Sequence, residues 1–320
     1  MSITTEITTT PMKNFVRKIR SVGHIIKGLP QNGSLNTLVD FINSILRNIL
    51  GEKYKIYQKY PRRKLKFEIM TTQHCNLNCV GCSNFASIAE EGFIDLHTLE
   101  NDLSQIKKID NNKIQTIFLT GGEPLLHPNL SLILEMINHY FPYVNDLYIV
   151  TNGLLLMKQN DNFWTSVKKN RFRIEITRYP ISLPYKEIEE KAKKNNVEIK
   201  FYGSTVNEMR IMEKTPLNNG TGKAKANFMK CHKANTCVTL HEGKIFTCTL
   251  IPRIYIFNKF FNKDFVVLES DFIDIYKVTS INNILKKLNK SVPFCNYCDV
   301  DNKISGISWE RTKKDITEWT

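Results

Sequence analysis

The sequence predicts an α/β protein built around a parallel β-sheet, and three features of its 320 residues support that class. Strand and helix patterns alternate through residues 61–205, as in the βα units that form parallel sheets. Residues 1–60 carry helical patterns alone, and residues 206–320 hold five of the eight cysteines. We therefore expect a helical N-terminal extension, a βα-repeat domain and a small Cys-rich α+β module.

Composition limits the classes of function. Apolar residues make up 42% of the chain, which supports a sizeable core, and no apolar run reaches the 18 residues of a membrane span. The chain starts with polar residues rather than a secretory signal, so we expect a cytoplasmic protein. The net charge of +14 favours an anionic small-molecule substrate, RNA or an anionic membrane surface. A basic surface in contact with solvent alone is the alternative.

Two helices are predicted in the N-terminal extension. Phe15, Ile19, Val22 and Ile26 recur at helical spacing among Lys and Arg residues, which is a basic amphipathic pattern. The second helix covers residues 34–50. These helices would either contact a membrane surface or a partner, or pack on the rest of the chain.

The βα-repeat domain is predicted element by element. Short apolar, β-rich runs predict strands at residues 64–70, 116–120, 146–150, 172–177 and 197–202. Helical spacing predicts helices at residues 96–108, 128–140, 163–169 and 185–194. Asp95 precedes the first helix and is its expected N-cap.

Three cysteines follow the first predicted strand. Cys75, Cys79 and Cys82 have the spacing Cys-x3-Cys-x2-Cys. A cubane iron–sulfur cluster takes four thiolates, so three leave one iron open to a ligand that is not protein. A zinc knuckle or structural thiols are the alternatives at this point.

The second predicted strand ends in Gly121-Gly122-Glu123-Pro124, about 40 residues after the cysteines. Two glycines at a strand end indicate that the backbone approaches another group closely, since no Cβ is in the way. Pro124 would fix the exit from the strand toward a helix.

Together the two motifs resemble those of the radical S-adenosylmethionine (SAM) enzymes, and the resemblance covers about residues 64–310. It implies a partial, open, TIM-like (β/α)6 barrel. It also implies a 4Fe-4S cluster on Cys75, Cys79 and Cys82 with SAM at its open iron, reduced by a flavodoxin- or ferredoxin-like donor. In that family the reduced cluster cleaves SAM, and the resulting 5′-deoxyadenosyl radical abstracts a hydrogen from the substrate.

The same resemblance implies the residues that contact SAM. They are Gly121, Gly122, Glu123, Pro124, Asn152, Thr177 and Arg178. Glu123 would accept a hydrogen bond from the SAM ammonium, and such charge-assisted bonds are strong. One departure from the family pattern is Gly81, where many members have an aromatic residue. Any stacking role would then need another residue, such as Phe85.

The C-terminal module contains a predicted hairpin. Glu242-Gly243 suits a two-residue type I′ turn, and counting outward from it places Cys237 opposite Cys248. Directly opposed Cβ atoms lie about 4.5–5.5 Å apart, so both sulfurs could reach one metal centre. A later Cys-x2-Cys pair completes a closed site. The predicted auxiliary ligands are Cys237, Cys248, Cys295 and Cys298.

A closed four-thiolate site suits zinc or a second 4Fe-4S cluster. With the barrel assigned, the pattern resembles the twitch module, a short form of the SPASM auxiliary-cluster module, which favours the second cluster over zinc or a disulfide. Cys231 is left over as a structural thiol, an alternative ligand or a hydrogen donor.

A closed auxiliary cluster favours electron transfer and hence substrate oxidation. The sequence also resembles radical SAM proteins associated with surface-polysaccharide synthesis, which implies oxidation of a sugar, an aminocyclitol or a nucleotide- or lipid-linked sugar in that or a related biosynthesis. The aminocyclitol dehydrogenases of the family share this barrel-plus-twitch plan. A peptide-modifying maturase of the RiPP or sulfatase type is the first alternative, and a zinc-binding RNA-binding protein is a distant one.

Overall fold

The structure is a computed structural model that describes residues 64–202, 212–234 and 236–320. The predicted N-terminal helices, and the membrane contact proposed for them, lie outside these residues. No helix within the described ranges is long and apolar enough to cross a membrane.

The predicted βα units are all present. In chain order they are β1 (Leu65–Thr72), α1 (Leu96–Ile109), β2 (Ile114–Gly121), α2 (Leu130–Tyr140), β3 (Asp146–Thr151), α3 (Asp161–Lys169), β4 (Arg173–Thr177), α4 (Tyr185–Lys194) and β5 (Ile199–Tyr202). Asp95 is the N-cap of α1, and its carboxylate accepts a hydrogen bond from the Thr98 amide at 2.7 Å. The alternation of apolar patterns therefore located these elements correctly.

The C-terminal module contains shorter elements. They are β6 (Met212–Lys214), α5 (Ala224–Lys230), β7 (Thr239–His241), β8 (Lys244–Phe246), α6 (Ile254–Phe261), β9 (Phe272–Asp274), α7 (Ile281–Leu288) and β10 (Ile304–Ile307). This module is mixed α and β, as predicted.

One large sheet joins the two regions. Its strand order is β5-β4-β3-β2-β1-β7-β8-β9, and the strands from β5 to β7 run parallel. The β7–β8 hairpin thus extends the sheet of the βα units, because the Glu68 amide donates to the Val238 carbonyl at 2.7 Å. The mixed α/β class with a largely parallel sheet is confirmed. A separate two-stranded sheet pairs β6 with β10.

One face of the large sheet is apolar and covered by helices. Leu65, Phe67 and Ile69 alternate along β1 and are buried with Leu99 and Leu103 of α1. This alternation is the period of two expected for a strand with one face in the core. The helix-covered core therefore fixes which side chains point to the opposite face.

The opposite face carries polar side chains. Paired residues of neighbouring strands point to the same side, and the register aligns Tyr148 with Arg173, and Glu175 with Lys200. We call this the inner face, and its polar members include Glu68, Tyr148, Arg173, Glu175 and Lys200.

A second apolar core lies within the C-terminal module and reaches the cysteine loop after β1. Phe85 from that loop is fully buried there, and its ring packs against Phe257 and Trp319. The loop is therefore held between the sheet and the C-terminal module.

Candidate active site

Cys75, Cys79 and Cys82 lie together in the loop that follows β1. Burial, followed by the negative charges of Glu123, Cys82 and Cys79, raises the pKa of the Cys75 thiol to about 12, although the Leu77 amide acts in the opposite direction. Buried thiols that disfavour one another's ionisation are stabilised as thiolates by a metal centre, whose binding releases their protons. The donor set therefore fits an iron–sulfur cluster with three protein ligands.

The two glycines at the end of β2 lie against the same loop. A Cβ on Gly121 would lie 2.5 Å from the Thr72 oxygen, and a Cβ on Gly122 would lie 1.8 Å from the His74 oxygen. The Gly122 amide donates to the Thr72 carbonyl at 3.0 Å, and the Glu123 amide donates to that of His74 at 3.1 Å. The close approach predicted from the glycine pair is therefore a contact with the cysteine loop.

Glu123 is buried directly behind the glycines, with 1% of its surface exposed. Its carboxylate accepts hydrogen bonds from Thr151 Oγ1 at 2.6 Å, the Asn152 amide at 2.9 Å and the Leu125 amide at 3.0 Å. Burial raises its pKa to about 6, and these hydrogen bonds act in the opposite direction. Pro124 opens one short 3-10 turn, and α2 begins only at Leu130.

Asn152, at the end of β3, reaches the cysteine loop. Its side-chain amide donates to Asn76 Oδ1 at 2.8 Å and to Cys75 Sγ at 3.7 Å. Its own Oδ1 accepts from the Leu154 amide at 2.9 Å. The structure thus joins Asn152 to the cysteine loop through its side chain and to Glu123 through its backbone amide, and the contacts of both residues with SAM stay predictions.

The other two predicted SAM contacts, Thr177 and Arg178, lie at the end of β4 and point to opposite faces of the sheet. Thr177 ends β4 beside Tyr202 of β5. The Arg178 guanidinium lies over the Phe201 ring at 4.0 Å and the Tyr185 ring at 4.7 Å. Since both rings pack against the helix-side core, Arg178 is turned away from the inner face. Within the described ranges no hydrogen bond joins it to the cysteine loop.

Phe85 does not offer a stacking surface. Its ring is completely buried between Phe257 and Trp319. An adenine ring could reach it only if the C-terminal module moved aside. The suggestion that Phe85 replaces the aromatic residue missing at Gly81 is therefore not supported.

The C-terminal segment covers the cysteine loop, which the sequence did not indicate. Trp309 Nε1 donates to Cys79 Sγ at 3.1 Å. Four further hydrogen bonds join Val80 to Glu310, Asn78 to Thr312, Gly81 to Glu318 and Cys82 to Trp319. No local pattern marks these residues, because the contacts span more than 200 positions.

Arg253 is a second residue that sequence reasoning missed. Only 1% of its surface is exposed. Its Nη2 donates to the carbonyls of Thr72 and Gln73, each at 3.0 Å, and its Nε donates to that of Asn84 at 3.3 Å. These carbonyls flank the cysteine loop on both sides.

The predicted hairpin of the C-terminal module is confirmed. The pairs are Thr239 with Phe246, Leu240 with Ile245 and His241 with Lys244. Glu242 and Gly243 have φ angles of +46° and +71°, as a type I′ turn requires.

Four cysteines of this module form one group. Burial raises the pKa of the Cys248 thiol, and the charges of Cys298, Cys231 and Cys295 raise it further. The pKa of Cys298 rises to about 12 through burial and then through Cys231 and Cys295.

Asn227 places the first member of this group beside the last two. Its side-chain amide donates to the carbonyls of Cys295 and Cys298 at 2.9 and 2.6 Å. Cys231 directly follows the same helix, α5, and its amide donates to the Asn227 carbonyl at 2.8 Å. One side chain thus links the end of α5 to the Cys-x2-Cys loop.

Cys237 has a different principal neighbour. Its thiol is hydrogen-bonded to the Glu68 carboxylate, whose pKa is raised to about 7 by burial. Burial, followed by the charge of Glu68, raises the pKa of Cys237 to about 12. A smaller part of that rise comes from Cys231, so Cys237 adjoins the group of the other four thiols, and its place among the auxiliary ligands stays a prediction.

The described thiols are not arranged around a single ion. Within the described ranges, no three His, Cys, Asp or Glu side chains lie at a spacing that would hold one metal ion. In a cubane each thiolate binds a different iron, so its ligands need not converge on one atom.

Comparison with known proteins places the cofactor motifs in a family. Residues 69–185 match the model of the Radical SAM superfamily. The GTP 3′,8-cyclase of Campylobacter jejuni subsp. doylei is 36% identical over 101 residues, which cover 32% of this chain and 31% of that enzyme. The GTP 3′,8-cyclase of Clostridium perfringens is 30% identical over 157 residues, covering 45% of this chain and 47% of that enzyme. The chain thus spans less than half of the length of these curated relatives.

Among solved structures, BtrN in complex with AdoMet and 2-DOIA aligns with a TM-score of 0.45 at 17% identity. The alignment covers 74% of this chain and 93% of BtrN.

Proposed function

The chain belongs to the radical SAM superfamily, and on that premise we propose that it cleaves SAM reductively and oxidises a polar, anionic substrate. The observation that carries this proposal is that the cysteine loop, Glu123 and Asn152 meet at the carboxyl ends of neighbouring strands. The Asn152 backbone amide donates to the buried Glu123 carboxylate, and the Asn152 side-chain amide donates to Cys75 and Asn76 of the cysteine loop. Family membership also argues against the alternative that the chain is a zinc-binding, RNA-binding protein.

Cys75, Cys79 and Cys82 would hold the first 4Fe-4S cluster. Glu123 lies within the same electrostatic group as these thiols and would accept the ammonium of SAM. The backbone of Gly121 and Gly122 would line its methionyl end, with Pro124 fixing the turn. Asn152 would orient the cofactor from the side of β3.

Cys231, Cys248, Cys295 and Cys298 would hold a second cluster. When bound, the two clusters and SAM would supply a radical that removes a hydrogen atom from the substrate and an acceptor for the remaining electron. The burial of Cys248 and Cys298 and the four-thiol donor set support a closed site that does not bind substrate directly.

The inner face supports a polar substrate. Tyr148 accepts hydrogen bonds from Arg173 at 3.0 Å and from Lys200 at 3.1 Å, and burial raises the pKa of Glu175. Hydroxyl, amino and phosphate groups are complementary to such side chains. A sugar, an aminocyclitol or a nucleotide- or lipid-linked sugar would meet that requirement.

The similarity to GTP 3′,8-cyclases does not imply that this chain acts on GTP. The shared 101 and 157 residues cover less than half of each enzyme. The cysteine and Gly-Gly-Glu-Pro motifs lie in the part that the family model describes, residues 69–185. The substrate is therefore argued from this chain's own inner face.

The test is performed on anaerobically purified full-length protein supplied with dithionite and SAM. Two cubanes predict about eight irons per chain, and 5′-deoxyadenosine should form. A Cys79→Ala variant should lose 5′-deoxyadenosine formation and keep about four irons, which makes it the matched control. Zinc without iron, or iron without any SAM cleavage, would reject the proposal.

A further inference from the structure

Arg253 is a buried cation at the base of the cysteine loop. Its 1% exposure removes it from bulk water, and in the described part of the chain no carboxylate forms an ion pair with it. Its hydrogen bonds go to three carbonyls, those of Thr72, Gln73 and Asn84. A guanidinium stays charged in proteins, and burying a charge without a counter-charge is costly.

The missing counter-charge is on the neighbouring loop. Cys82 lies close enough to Arg253 that negative charge on its sulfur, as in a thiolate ligand of a cluster, favours the charged guanidinium. Cys82 lies between the carbonyls that Arg253 holds at Gln73 and Asn84. A cluster on three thiolates would place net negative charge beside this cation.

Trp309 contacts the same loop from the C-terminal segment. Its indole N–H donates to Cys79 Sγ at 3.1 Å. Hydrogen bonds to the sulfurs and the local net charge are the two main ways in which a protein sets the potential of an iron–sulfur cluster.

We propose that Arg253 and Trp309 are positioning residues that raise the reduction potential of the cluster held by Cys75, Cys79 and Cys82. Reduction adds negative charge to the cluster, and both the cation and the N–H donor stabilise that charge. The C-terminal module would thereby make the first cluster easier to reduce. The inference rests on the proposed function only through the presence of that cluster.

The alternative is that both residues merely hold the loop in place. Trp319 provides the comparison, because its indole N–H donates to the Cys82 carbonyl at 2.9 Å and not to a sulfur. If both tryptophans only held the loop in place, Trp309→Phe and Trp319→Phe would affect the reduction potential of the cluster to a similar extent. An electrostatic role predicts that only Trp309→Phe shifts the potential.

The experiment is a redox titration of the reconstituted, full-length protein, followed by electron paramagnetic resonance. The first cluster is identified as the signal that changes when SAM is added. We expect Trp309→Phe and Arg253→Met to lower its midpoint potential, with Arg253→Lys close to wild type and Trp319→Phe unchanged. Iron content and circular dichroism check that each variant keeps its cluster and its fold.

Equal potentials in wild type and Trp309→Phe, at wild-type iron content, would overturn the role of Trp309. If Arg253→Met loses the cluster, Arg253→Lys decides, since a lowered potential in a variant that keeps the charge would overturn the role assigned to Arg253. A wild-type protein without a SAM-responsive cluster would instead contradict the proposed function.

Discussion

Gly122 packs so closely on His74 that a Cβ on the glycine would lie 1.8 Å from the histidine's carbonyl oxygen. The same oxygen accepts a hydrogen bond from the Glu123 amide at 3.1 Å. This contact aligns the end of β2 with the cysteine loop. The distance between the glycine motif and the cysteine loop therefore depends on the absence of a side chain at Gly122.

Replacing Gly122 by Ala should disrupt the first cysteine group. The added methyl meets backbone atoms, which cannot move as a flexible side chain can, so we expect a loss of about 3 kcal/mol or more in stability. Iron analysis should show the loss of the first cluster with the second retained. Gly92→Ala is the matched control, because its Cβ would meet only the side-chain end of Gln73. Equal iron contents in the two variants would contradict the prediction.

Cys231 and Cys237 should behave differently when each is replaced by Ser. Cys231 belongs to the group with Cys248 and Cys298, whereas Cys237 is hydrogen-bonded to Glu68. We expect Cys231→Ser to lose about four irons, the content of one cubane, and Cys237→Ser to keep them. The iron and sulfide contents of the two variants, measured per chain, test this prediction. The reverse pattern would restore Cys237 to the ligand set.

Replacing Glu123 by Gln should weaken SAM binding. A Gln has one acceptor oxygen and places an NH2 group near the donors Thr151 and Asn152. Charge-assisted hydrogen bonds contribute about 1.5–3 kcal/mol, which corresponds to a roughly tenfold to hundredfold rise in the Kd of SAM. Calorimetry on reconstituted protein measures it.

Glu90→Gln is the control for Glu123, because Glu90 forms an exposed ion pair with Lys259. Such pairs contribute little to stability. The binding of SAM to wild type should also weaken as the pH falls through about 6, since the pKa of Glu123 is raised to about 6 and the neutral acid attracts an ammonium less. An unchanged Kd in Glu123→Gln would contradict the assignment.

Glu68 should make the protein less stable at alkaline pH. Its pKa is raised from 4.5 to about 7 in the folded protein, chiefly by burial. The unfolded chain therefore ionises first as the pH rises, and stability falls between these two values. Relative to Glu68→Gln, wild type should lose at most about 2 kcal/mol between about pH 5.5 and about pH 8.5. Urea unfolding at both pH values tests this, and a constant difference would refute it.

Much of the fold follows from local sequence. Strand and helix periods located the elements from β1 to β5, and Asp95 caps α1 as its residue type predicts. The turn at Glu242-Gly243 determined the pairing of β7 with β8, because a two-residue turn leaves only one register. These features depend on neighbours within a few residues.

The second cysteine group shows where local reasoning stops. Counting outward from the turn placed Cys237 opposite Cys248, but the described ladder ends at Thr239 and Phe246. Beyond it, the Val238 carbonyl accepts from Glu68 of β1, and the Cys237 amide donates to the Lys233 carbonyl at 3.1 Å. Before Thr239 the chain is therefore hydrogen-bonded to β1 and to Lys233.

The sequence by itself indicated the resemblance to radical SAM enzymes, the cofactor motifs and the order of the elements, because residue type and spacing carry that information. Only the tertiary structure decided that Arg178 stacks on Phe201, that Cys231 joins the second group and that Trp309 contacts Cys79. The last contact joins residues 230 positions apart. Contacts of this kind depend on packing between elements, and no local pattern encodes them.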